Sequence, residues 1–175
     1  MSRPNKPRDL KVRRATRRDA AAVADLAREH HLEEGDRPGS LTAAAIRRDF
    51  LGRKPLGVIL YAELDGNPAG YVLLTAAYDA ARATRGFQIN ALHVTAAARK
   101  RSVWPVLLAV AAAETKRRDG DFMVWTSRAW NVAAQEFYRK QRASEEPVMS
   151  HGLMGKNFDA AAAEGAAFLK RTEKS

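Results

Sequence analysis

The sequence has no cysteine. That excludes disulfides and thiolate metal sites and suits a reducing compartment. Its four histidines, His30, His31, His93 and His151, show no metal-ligand spacing, so no metal site is expected. No strand–turn–helix nucleophile elbow occurs, which argues against a serine hydrolase. No apolar run approaches the roughly 18 residues of a membrane span, and no apolar stretch follows the charged N-terminus as it would in a secretory leader. A soluble, cytoplasmic protein without a membrane partner is expected. Acids are scarce, with 20 against 30 basic residues in a chain of 175, giving a net charge of +10. That excess makes polyanions plausible partners and says nothing about the fold.

What is present fits one domain with a real core. The charge is uneven. Arg3, Lys6, Arg8, Lys11, Arg13, Arg14, Arg17 and Arg18 crowd the start against the single acid Asp9, whereas Glu29, Glu33, Glu34 and Asp36 surround His30 and His31. Residues 1–9 read as a loose basic arm and 10–155 as the domain; 156–175 would be a terminal helix and tail. "LKVRRAT" predicts a first strand. Thr16 to Asp19 has a capping-box pattern, and Val23, Leu26, Ala27 and His30 follow at helical spacing, predicting a helix from Arg17 to His30. A short helix over Thr42 to Leu51 carries Ala45, Ile46 and Phe50 on one side. Two β-rich runs around Asp65-Gly66-Asn67 predict a hairpin. "YDAARATRG" reads as a loop. In "FQINALHV", alternation places Ile89, Ala91 and His93 on one face and Asn90, Leu92 and Val94 on the other. Val103, Val106, Leu107 and Val110 form a helical stripe ending near Gly120. "DFMVWTS" is a strand, "WNVAAQEFYRK" a helix from about Asn131, and 143–155 a further strand. This order predicts an α/β fold with a mixed sheet flanked by helices.

Three stretches then resemble the GNAT superfamily of N-acetyltransferases over roughly residues 10–150. "INALHVTAAARKRSVWPVLL" looks like the family's central strand and acetyl-CoA turn. "WNVAAQEFYRK" is similar to its Asn-x-x-Ala-x-x-Phe/Leu-Tyr helix. "HLEEGDRPGSLTAAAIRRDF" is similar to the first-helix region of diamine- and polyamine-type members. The resemblance implies acetyl-CoA as co-substrate and acyl transfer to an amine of a small molecule or protein.

In the family the turn reads Gln/Arg-x-x-Gly-x-Gly/Ala, glycine letting backbone amides approach the phosphates. Arg99 keeps the first position here, Ser102 replaces the first glycine and Trp104 the second small residue; Pro105 has no amide to donate. Ser102 is a candidate N-cap, and Lys100 and Arg101 can add charge. With Leu92, Val94, Val103 and Asn131, these form the expected cofactor site. The resemblance makes Tyr138 the general acid that protonates the departing thiolate and puts an oxyanion-binding amide near Val94. Diamine-type members carry Glu-Asp where this chain has Asn90 and Ala91, so His93 is the candidate base, with a water-relayed base as the alternative. Glu29, His30, Glu33, Glu34, Asp36 and Asn90 are the candidate acceptor-binding residues. Arg142 stands where the family usually has glycine. A competing reading is a catalytically weakened binding module of the same fold. A nucleic-acid role would rest on basic clusters at 3–18, 99–101, 116–118 and 139–142, without interleaved aromatics. The terminal helix and Trp130 region are candidates for a homodimer surface.

Overall fold

The computed structural model describes residues 9–35, 39 and 41–172. In chain order the elements are β1 (Leu10–Arg14), α1 (Ala20–Glu33), α2 (Ala43–Asp49), β2 (Gly57–Leu64), β3 (Asn67–Asp79), β4 (Thr84–Val94), a 3-10 turn (Arg99–Arg101), α3 (Val103–Arg117), β5 (Phe122–Val124), α4 (Val132–Lys140) and α5 (Gly155–Thr172). Two compact units result, one ending at Val132 and the other beginning at Ala133.

In the first unit five strands form one sheet in the order β1-β2-β3-β4-β5. All neighbours are antiparallel except the β4–β5 pair, which is parallel. This is the mixed α/β sheet flanked by helices that the element order implied. Cross-strand partners share a face. Ile59↔Leu73 and Tyr61↔Tyr71 therefore lie on one side, where they pack with Val23, Leu26, Ala27 and Ile46 of α1 and α2. Leu60↔Val72 and Val58↔Leu74 lie on the other, the side of α3. There Gly70 makes close approach possible. A Cβ on it would stand 2.5 Å from the His93 carbonyl oxygen and 3.1 Å from Leu107 Cδ1.

Local chemistry sets the boundaries. Asp19 accepts hydrogen bonds from the Thr16 amide and hydroxyl at 2.6 and 2.7 Å and forms a bidentate pair with Arg13. These bonds hold its carboxyl well below the usual carboxylate range. They close a lead-in turn, so α1 starts at Ala20, later than the capping pattern suggested, and runs on to Glu33. Thr42 caps α2 by accepting from the Ala45 amide at 3.2 Å. The β2–β3 turn is Asp65-Gly66, with φ of 52° and 79°, the pattern of a two-residue hairpin. The stretch expected to be a loop after β3 is mostly strand. β3 continues to Asp79 and β4 begins at Thr84, while Asp79 closes the short turn by accepting the Ala81 and Arg82 amides. Polar residues there mark the solvated half of a hairpin.

The alternation expected along β4 does not hold. Leu73 pairs with Ala91 but Leu74 with Ile89, so Asn90 is an extra residue in a β-bulge. Ile89 thereby moves to the face opposite Ala91 and His93.

In the second unit α4 ends with the Ala143 amide on the Tyr138 carbonyl (3.1 Å) and the Arg142 amide on that of Arg139 (2.9 Å). This is a Schellman ending, with Arg142 left-handed at φ 63°. The strand expected over 143–155 is absent. Pro147 removes a ladder donor, and Glu145 pairs with Arg139 at 2.8 Å, which draws the chain back to α4.

Candidate functional site

β4 carries the site because its neighbour changes along its length. It pairs with β5 only at Gly86↔Phe122, Phe87↔Met123 and Gln88↔Val124. Past Gln88 the ladder ends, and the bulge at Asn90 follows at once. The Thr95 amide donates to the Ala69 carbonyl at 3.0 Å. By the alternation of an antiparallel ladder, Val94 and Leu92 then turn their peptide groups away from β3. The Val94 carbonyl is found on that side, accepting from Arg99 Nε at 3.0 Å. An extended ligand can use such an edge as an added strand does. Asn90 lies on the exposed stretch, its Oδ1 accepting from Thr75 Oγ1 at 2.7 Å.

Beyond β4 the chain tightens. The Thr95 carbonyl accepts the Ala98 and Arg99 amides, and Arg101 donates to Ala98. Ser102 then takes φ 57°, ψ 21°, and α3 begins. This is the left-handed region that glycine occupies without cost, and here a serine holds it. The expected Ser102 cap does not form. A capping side chain reaches the N2 or N3 amide from an extended backbone, and the left-handed one points it elsewhere. A helix has no internal acceptors for its first amides. Ser102 and Val103 contribute two of these here, while Pro105 contributes none. Trp104 is half-buried, its indole nitrogen shielded from solvent.

Of the turn's three basic side chains, two are already engaged. Arg99 pairs with Glu33, and Arg101 lies 3.5 Å from Asp65. Lys100 has no ion pair among the described residues.

The expected base and acceptor residues meet beneath α1. His93 is 3% exposed, its Nε2 without a hydrogen-bond partner among the described residues. Glu29 Oε1 stands 3.5 Å from Nε2, and Glu33 Oε2 stands 3.9 Å from Nδ1. The His30 ring stacks on His93 at 5.2 Å, and Tyr71 meets His30 edge-on. Burial lowers the His93 pKa to about 3, with further depression from His30 and Arg99. His30 is lowered too, chiefly by burial, though Glu34 at 3.5 Å opposes this. Burial likewise pushes the Tyr71 hydroxyl above its usual range. The expectation of His93 as a base working near neutral pH therefore meets a physical obstacle. The ring is packed away from solvent and holds a proton poorly.

Glu29 also lines a cleft of about 590 Å³ along α1, with Asp25, Leu26, Leu32, Pro68 and Thr95. Asp36 lies outside the described residues. Asn131 directly precedes α4, its amide donating to the Arg128 carbonyl at 2.9 Å. Tyr138 is a half-buried residue of α4, its ring edge-on to Phe137 at 5.4 Å. The structure thus gathers Glu29, His30, Glu33, His93 and Arg99, while Tyr138 belongs to the second unit. Sequence reasoning missed the Glu33–Arg99 pair and the Tyr71 contact; nothing in residue spacing signals either.

No curated protein matches the sequence. Solved structures do share its fold. An integron cassette protein from the mobile metagenome of V. cholerae is 16% identical, with a TM-score of 0.73 over 88% of this chain and 98% of the other. An aminoglycoside acetyltransferase from an uncultured soil metagenomic sample, solved with trehalose, is also 16% identical, at 0.71 over 84% and 97%. A ribosomal-protein-alanine N-acetyltransferase from Brucella melitensis biovar Abortus 2308 is 18% identical, at 0.66 over 83% and 99%. At these identities the likeness concerns the fold. The acetyltransferase (GNAT) family pattern matches residues 21–142, well over half of the sequence. By that match the chain belongs to the GNAT family of acetyltransferases.

Proposed function

We propose that the protein is an acetyl-CoA-dependent N-acetyltransferase acting on a primary amine of a small molecule or protein. One observation carries the reading. The free edge of β4 at Leu92 and Val94 runs through a basic turn into a 15-residue helix opened by a left-handed residue. That donor set fits the cofactor. An extended amide-bearing arm can pair with the strand edge, and a diphosphate suits helix-opening amides beside Lys100.

Acetyl-CoA, when bound, supplies an activated thioester. The amides of Ser102 and Val103 and the positive end of the α3 dipole hold negative charge at the turn. The main-chain amide of Val94 faces the open edge, where it can stabilise oxyanion charge. Tyr138 is the residue we assign to hold the proton given to the departing sulfur. Glu29, in the α1 cleft, attracts a cationic amine, and the amine's proton passes to water because His93 is sealed off.

Two measurements test this. Saturating acetyl-CoA should raise the melting temperature, by an amount set by its concentration relative to Kd. Tyr138→Phe should lower turnover on the order of a hundredfold with an unchanged melt. An undiminished rate would remove the role of Tyr138. An unmoved melting temperature would favour the catalytically weakened binding module, a reading supported by the engagement of Arg99 and Arg101 with carboxylates.

A further inference from the structure

We infer that Glu33 competes with phosphate for Arg99 and so sets how tightly the turn holds its anion; the inference rests on the acetyl-CoA reading above. Glu33 is the last residue of α1, and Arg99 opens the turn that leads to α3. Sixty-six positions apart in sequence, they form a direct ion pair. The geometry fixes the guanidinium from two sides. Its Nε donates to the Val94 carbonyl at 3.0 Å and its Nη2 to the Glu33 carboxylate. Both bonds hold it over the end of β4 and the end of α1.

An anion at the start of α3 that takes Nη2 of Arg99 must displace Glu33 from it. The other groups near that carboxylate do not replace the cation. His93, 3.9 Å away, is neutral above its depressed pKa. Arg101 is occupied with Asp65. Lys100 is the turn cation with no competing carboxylate among the described residues, so the first capture of an anion falls to Lys100 and the helix-opening amides. Arg99 joins at the expense of its pair. Both partners are more than a third exposed, at 39% and 37%, so the pair is weak enough to open and each group can be rehydrated.

The test is calorimetric titration of the full chain with coenzyme A and, separately, with inorganic pyrophosphate. Glu33→Gln should bind both probes about threefold to fivefold tighter than the parent, the range expected when a half-exposed ion pair no longer has to open. Glu29→Gln serves as the comparison. It removes the same charge one turn earlier on α1 without touching Arg99, and should change affinity less than about twofold. In an Arg99→Gln background, Glu33→Gln should bring no gain. Melting curves of each variant confirm that the fold is intact. Equal gains from Glu29→Gln and Glu33→Gln would reduce the effect to a general field and overturn the inference. So would an unchanged or weaker Glu33→Gln. If the parent and all variants bind neither probe, the acetyl-CoA reading falls and this inference with it. If the parent binds but Glu33→Gln gains nothing, only the inference falls.

Discussion

Among the described residues, five other than glycine hold a positive φ: Asp65, Ala83, Ser102, Asp119 and Arg142. A side chain in that region costs about 1 kcal/mol relative to glycine. Ser102 opens α3, and Arg142 closes α4. The backbone is left-handed at both and accepts the strain, which residue identity alone could not reveal. Ser102→Gly and Arg142→Gly should therefore each stabilise by about 0.5–1 kcal/mol, raising the melting temperature by roughly 1–4 °C. Calorimetric scans of the single variants check this. A lowered melting temperature in either would contradict the left-handed assignment at that residue.

Elements were legible where periodicity is local. The β2–β3 hairpin and both long helices of the first unit follow directly from spacing and turn chemistry. The bulge at Asn90 was not legible, because one inserted residue leaves each flanking pattern intact and changes only how they join. The strand expected over 143–155 failed because its few apolar residues compete with Pro147 and with the Arg139–Glu145 pair. The packing of α1 on β4 carries its own prediction. The unfolded chain protonates His93 near pH 6.5, whereas the folded chain does so only near pH 3. Below 6.5 the unfolded state thus binds the extra proton, so stability is complete above that pH and falls as the medium is acidified toward 3. The slope per such histidine approaches about 1.4 kcal/mol per pH unit. His30, lowered by the same burial, acts in the same direction, though the charges of Glu34 and Glu33 oppose its shift. Denaturant unfolding between pH 7.5 and 5.5 should show this loss, and His93→Gln should flatten it. Parallel slopes in parent and variant would rule out the buried neutral ring.

At the level of the whole molecule the +10 charge overstates what is available to a polyanion. Arg13 pairs with Asp19 and Glu63, Arg14, Arg117 and Arg118 with Glu114, Lys116 with Asp121, and Arg139 with Glu145. Several basic residues of the clusters that suggested nucleic acid thus pair with internal carboxylates; Arg13–Glu63 and Arg14–Glu114 join residues distant in sequence and are invisible to a count. Binding to a random DNA duplex at 0.15 M salt should be no tighter than about 10 µM, within the non-specific range. Fluorescence anisotropy would reveal it, and a nanomolar complex would revive the nucleic-acid reading. The class of fold could be read from element order, whereas the contacts joining α1 to the turn could not, since they depend on which strand end faces which helix end. One small feature ties these scales together. Gly70 opposes Val94, and a methyl group there would collide with the backbone of β4 and crowd Leu107. Position 70 thus works as a shim of zero thickness under α3. Anything thicker would lift the helix and swing its opening amides off the line of the strand, detuning the site from a place that touches none of its groups.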